Sequence, residues 1–226
     1  PFRDKAVTLM TFCKEQNRIR RSLDIHERRR KKYGVGIFRV LFDPDCLDGM
    51  GLPVIEAVNP EHVYPDPIVH DIYKINEGRF IIETFTRSIE SAREKYGDEI
   101  ANCIVPGYIP NESTNEDEVS YGEVGGQFYI HMLVWTHGFI DKENDEGEKE
   151  KKKVLRLIEM SACGVILRDT AEDKVEICED DIRFPYFFTP DMYREGTVWG
   201  KSTASLLIPV QDTIDDIEDQ IVLNAR

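Results

Sequence analysis

The stretch GTVWGKSTASLLIPVQD, residues 196–212, separates two folds. If Gly200-Lys201-Ser202-Thr203 closes a P-loop, the chain is a parallel α/β NTPase with Lys201 on a phosphate. A P-loop places four residues between its first glycine and the Gly-Lys pair, so that successive N–H groups wrap the phosphates. Here Gly196 and Gly200 enclose Thr197, Val198 and Trp199 only, and the position that calls for glycine is Glu195. A buried apolar strand should lead in. What leads in is RFPYFFTP, residues 183–190, whose Pro185 and Pro190 cannot donate to a central ladder. The stretch therefore reads as a glycine-rich turn entering a helix.

Downstream, Ser202–Arg226 is amphipathic. Val210, Ile214, Ile217 and Ile221 step by 4, 3 and 4 along one helical face. Burying four such side chains is worth roughly 6–12 kcal/mol before entropy. Pro209 either lies near the first turn or kinks the helix. The other face carries Asp212, Asp215, Asp216, Glu218 and Asp219. Paired carboxylates can hold Mg²⁺ in a nuclease. These have no histidine or lysine beside them, and they read as a solvated or channel-facing surface.

Upstream, Phe128-Tyr-Ile-His-Met-Leu-Val-Trp-Thr-His137 is the strongest strand signal. Lys153–Glu159 returns beside it, and Cys163–Leu167 reads as a third strand. Residues 141–153 are too charged to pack and read as a long hairpin tip. His131 and His137 share a strand face but lie roughly 20 Å apart, too far to share a metal. Val35–Phe42, the turn at 43–49 and Pro53–Val58 read as a hairpin. That turn fails the EF-hand pattern at Leu47 and Val54. Three prolines in Val58–Pro67 fix an extended path. Arg79–Arg87 is a strand, and Ser88 caps a short helix with Ile89, Ala92 and Tyr96 inward and Gly97 closing it. Residues 4–33 read as one helix with Leu9, Phe12, Gln16, Ile19 and Leu23 on a face, a basic run at Arg28–Lys32, and Gly34 as its stop.

The fold class expected is α+β: mixed or antiparallel sheets with flanking helices, ending in a long amphipathic helix. The expected segments are a basic helix at 1–34, a β-hairpin with a small α/β unit at 35–109, an acidic flexible loop at 110–126, an antiparallel β unit at 127–190, and the turn and helix at 191–226. The chain starts at Pro1 and stops at Arg226 inside a helical pattern, so it is taken as a fragment of something longer.

The formal charge of −14 argues against a general nucleic-acid coat and against anionic membranes. The charge is uneven: residues 1–33 carry a net +7 and the remaining 193 carry −21. That asymmetry fits an exposed helix that is simply basic, the reading favoured for one chain alone, or complementary contacts between copies or with another chain. Five scattered cysteines without C-x-x-C spacing fit a reducing compartment, and no apolar run is long enough for a membrane span. No catalytic, cofactor or metal site is expected.

Several stretches together resemble tailed-bacteriophage portal proteins of the podovirus-related group. Phe184-Pro-Tyr, then Gly196-Thr-Val-Trp-Gly200-Lys-Ser202, then Leu207-Ile-Pro-Val-Gln211-Asp-Thr-Ile214 is similar to that family's approach to a long helix near the ring interior. Val58-Asn-Pro-Glu-His-Val-Tyr-Pro-Asp-Pro67 resembles its "v-x-P-x-x-v-y-x-D-P" segment. The strand and helix ending at Gly97, and the basic helix into Gly34–Val40, occur in family order. The resemblance implies a wing-like, non-enzymatic fragment of a ring, usually a dodecamer, at one capsid vertex of the virion, assembled in the host cytoplasm. Implied partners are other copies, the terminase motor, head-tail adaptor, capsid or scaffolding proteins, and double-stranded DNA passing through the channel. Asp212, Asp215, Asp216 and Asp219 would face that channel. Gly196 and Gly200 would shape a tight approach, Ser202 would cap the helix, and Lys201 would hold no nucleotide. The competing readings are another virion structural protein such as a connector or adaptor, a metal nuclease through Asp215 and Asp216, and a P-loop NTPase through Lys201.

Overall fold

A computed structural model describes residues 2–44, 46–49, 51–107, 127–143, 149–170 and 183–224. The fold is mixed α+β with antiparallel sheets, and it ends in a long helix. The expected loop at 110–126 lies outside the described residues. The chain forms two units, one from Pro1–Glu61, Pro67–Ile75 and Pro185–Arg226, the other from His62–Asp66 and Asn76–Phe184.

The first unit is built on a three-stranded sheet. Strand β1 (Val35–Asp43) is central, with β2 (Leu52–Val58) on one side and β8 (Tyr186–Pro190) on the other, both antiparallel to it. The hairpin follows from β-branched and aromatic runs joined by a turn in which Leu47 and Asp48 both take positive φ. β8 is an edge strand, the place where Pro190 is tolerated. Its partner is β1, so residues 186–190 belong with the hairpin and not with the expected unit at 127–190. In the same way β3 (Val63–Pro65) and β4 (Phe80–Ser88), expected with that hairpin, belong to the other sheet. Hydrogen-bonded pairing across long sequence gaps sets this grouping, and local pattern carries no record of it.

Helices α1 (Phe2–Gln16) and α2 (Ile19–Tyr33) replace the single helix expected over residues 4–33. The break is at Arg18, whose φ is 46°. Asn17 explains it: its amide donates to the Cys13 and Pro53 carbonyls at 2.8 Å, and its oxygen accepts the Ile55 N–H at 2.8 Å. One side chain thus ends α1 and ties the corner to β2. α2 packs on β1, burying His26 in a stack on Phe38 with ring centroids 4.2 Å apart. Gly34 closes α2 in the left-handed conformation, its N–H donating to the Arg30 carbonyl.

The second unit is a five-stranded antiparallel sheet in the order β3-β4-β5-β6-β7, with β3 Val63–Pro65, β4 Phe80–Ser88, β5 Phe128–Glu143, β6 Lys149–Ser161 and β7 Ile166–Asp169. β5 buries Tyr129, His131, Leu133 and Trp135, the period-two pattern of a sheet with one covered face. The expected hairpin tip at 141–153 is shorter than its charge suggested. The β5–β6 ladder runs on to Glu143 opposite Lys149, leaving only 144–148, which lie outside the described residues. Cys163 and Gly164 belong to a turn, and the third strand starts at Ile166. Ser88 caps α3 (Ile89–Tyr96), its hydroxyl accepting the Ser91 N–H at 3.2 Å. A second short helix, α4 (Asp98–Cys103), follows at once and was not expected. Ala92, Ile104, Tyr129 and Leu167 form the core beneath this helix pair. The path from Val58 to Pro67 is extended only in part, since Pro60–His62 makes a 3-10 turn before β3.

Candidate functional site: the 191–205 junction and the helix it launches

The glycine-rich turn is an anchoring point for helix α5 (Thr203–Asn224). Met192 and Lys201 pair across it, each N–H donating to the other's carbonyl. Gly200 lies so close to Gly34 that a Cβ on either would overlap the other's carbonyl oxygen. This is the tight approach expected of Gly200, and only glycine permits it. Gly196 takes φ 79° within the turn.

Asp191 organises the junction. Its side chain is 2% exposed. One carboxylate oxygen accepts from Lys31 Nζ at 2.7 Å. The other accepts the Thr203 N–H at 2.8 Å and the Thr203 hydroxyl at 2.6 Å. Its backbone N–H donates to the Gly34 carbonyl at 2.8 Å. Burial alone would push the Asp191 carboxyl up; the Lys31 ammonium and the two Thr203 donors outweigh it and hold the group at about 2. Ser202 caps the same end, its hydroxyl accepting the Ser205 N–H at 3.0 Å. Opening donors of α5 are therefore already satisfied from within the chain. A P-loop keeps such N–H groups for phosphate, whereas here a carboxylate lies against them.

The amphipathic helix expected here forms as α5, but its apolar row Val210, Ile214, Ile217 and Ile221 is exposed, and no residue of the helix is buried. Ile217 is 52% exposed and Ile221 62%. Amphipathic spacing shows that a face needs covering, and nothing among the described residues of this chain covers it. Asp212, Asp215, Asp216, Glu218 and Asp219 are exposed as well, so the structure brings them to one solvent-open helix without gathering them into a site. Asp215 accepts from Gln211 at 2.8 Å, and the helix holds no Lys or Arg. Among the described residues, no group of three or more His, Cys, Asp or Glu side chains is placed to hold a metal ion. No helix of the described residues is long and apolar enough to cross a membrane.

A second polar cluster lies in the sheet unit and was not anticipated. Glu159, on β6, accepts from Tyr96 Oη and from Lys95 Nζ at 3.0 Å. His131 Nε2 is 3.3 Å from the same carboxylate, while His131 Nδ1 meets Tyr129 Oη at 3.0 Å. Burial would raise Glu159; the His131, Tyr96 and Lys95 contacts overcome it and hold the group at about 2. Burial pushes the Tyr96 phenol up, and the Glu159 carboxylate pushes it further. The cluster pins α3 to the sheet. His131 was expected to be an ordinary sheet residue; it is instead fully buried inside this network. His137, further along β5, sits against Phe184. Asp66, in the proline-rich segment, is also buried and takes three donors from Arg79, its backbone N–H at 2.9 Å, Nε at 2.7 Å and an Nη at 3.0 Å.

No protein-family model matches the chain, and no curated protein matches it in sequence.

Proposed function

We propose that this chain is part of a ring-forming portal subunit, a structural element past which double-stranded DNA moves. The observation that carries the reading is α5: 22 residues long, none buried, with five carboxylates and no cation. A helix of that kind is incomplete in one copy. Assembly would cover its apolar row and leave its acidic face lining a passage. A wall that neutralised phosphates would bind DNA and stall it, because each neutralised phosphate releases counterions and strengthens binding. A repulsive wall lets DNA slide. The order of motifs along the chain and the Asp191 anchor that fixes the root of α5 support the same reading. ATP hydrolysis would fall to a separate terminase, and the carboxylate at the mouth of α5 supports leaving Lys201 without a nucleotide. In the virion this ring would sit at one capsid vertex and meet adaptor, capsid or scaffolding proteins.

Negative-stain microscopy and native mass spectrometry test the reading. Closed rings of identical copies, about twelve in number, are expected. A species that stays monomeric at every concentration would remove it. Duplex DNA in a gel shift should stay unbound at about 150 mM salt, where surface fields reach only about 8 Å.

A further inference from the structure

The last two turns of α2 and the first turns of α5 flank a shallow, open groove. Its lining is almost wholly apolar, made by Ala204, Leu207 and the aliphatic stems of Arg28, Lys31 and Lys32. Its rim carries those three cations. Lys31 is tied to Asp191 at 2.7 Å, Arg28 to Asp24 at 3.2 Å, and Arg30 to Glu27 at 2.6 Å, but with seven Lys/Arg against two Asp/Glu α2 keeps a surplus of positive charge. An apolar floor inside a cationic rim suits an amphipathic helix that brings an apolar row and negative charge.

We propose that this groove receives the distal half of α5 from a second copy of the chain. That segment presents Ile214, Ile217 and Ile221 on one face, all exposed, on a helix of five carboxylates and no cation. The surplus of positive charge on α2 opposes the wholly negative charge of α5. The segment cannot reach its own groove: Ile214 lies seven residues beyond Leu207 on the same helix, about 10 Å further along a rigid axis. The contact joins two different surfaces, so it is heterologous and repeats from copy to copy, closing into a ring if the rotation allows. It deepens the portal reading and rests on it for that closure. Three isoleucines bury little area, so each contact is weak alone and a closed assembly adds its contacts together. The remaining acidic face, with Asp212, Asp216 and Asp219, stays turned away from the seam.

The test uses two variants of the 226-residue chain, both altered only at exposed positions and checked by circular dichroism. Arg28→Glu with Lys32→Glu spoils the groove; Ile214→Ser with Ile217→Ser spoils the inserted helix. In sedimentation velocity the unaltered chain should self-associate, more weakly as salt rises. Each variant alone should associate at least about tenfold more weakly. Mixed, they should form a one-to-one dimer and nothing larger, because one intact groove then meets one intact helix. A variant that assembles like the unaltered chain, a mixture that stays monomeric, or association indifferent to salt would each overturn the proposal. Rings that both variants leave intact would keep the portal reading and remove the groove. Open chains that both variants abolish would keep the groove and remove the ring.

Discussion

Helices α2 and α5 invert the usual relation between composition and burial. α2 is dense in charge, yet it packs on β1, stacks His26 on Phe38, and spends Arg29 on the Ala57 carbonyl. α5 has the longer apolar row, yet it buries nothing. The difference lies in what each helix has beside it. α2 is followed by a strand that continues straight from Gly34 and folds under it, and its long cations cover apolar surface with their stems. Among the described residues, α5 is fixed only at its root, by Asp191, Ser202 and the Gly34–Gly200 contact. Hydrophobic content says how strongly a face needs cover; only tertiary neighbours, in one copy or between copies, say whether it has any.

That contrast can be broken first at the root. Gly200→Val drives a side chain into the Gly34 carbonyl, and should cost about 3 kcal/mol or more in urea unfolding. A cost below 1 kcal/mol would mean the junction relaxes freely. Asp191→Ala should cost about 1–3 kcal/mol, because it strands Lys31 and frees the first N–H of α5. Hydrogen exchange at Thr203 should rise with it, and unchanged protection there would show that Asp191 does not hold the helix. On the α2 side, burial is the main influence on His26 and lowers its pKa, with Glu27 opposing. The sign is that of a group held neutral by folding: the stability is present above the unfolded value near 6.5 and lost as pH falls through it towards the lower folded value. Unfolding free energy should therefore drop between about pH 7.5 and 5.5. His26→Phe should remove part of that slope. The smallest effect should come from Ile217→Ser in dilute chain, within about 0.5 kcal/mol, because the side chain is already half in water. A larger loss in a monomer would show that α5 has a cover within its own copy.

Much of the local architecture was legible. The β1–β2 hairpin, β4, the Ser88 cap, the Gly34 stop and the paired strands β5 and β6 follow from periodicity and capping chemistry within a few residues. What escaped depends on partners far along the chain. The break at Asn17 needs Pro53 and Ile55, and no helical pattern announces them. Asp191 carried no signal of its own, because Lys31 is 160 positions away. β8 could not be assigned to β1 from its own sequence, nor could Glu159 be matched to Tyr96. The acidic row of α5 was legible as exposed, whereas the fate of its apolar row was not, since spacing records amphipathicity and not the presence of a neighbour.

The pairing of β1 with β8 and of Gly34 with Gly200 has a consequence for synthesis. A ribosome makes β1 long before it makes its second partner, and the whole of the sheet unit emerges in between. Through that interval one edge of β1 stays unzipped, a row of bare amide groups open to any other nascent strand. The chain's most vulnerable interval is thus set by its topology, and a chaperone that shields residues 35–43 until residue 190 has been translated would raise the yield more than one acting on the finished protein.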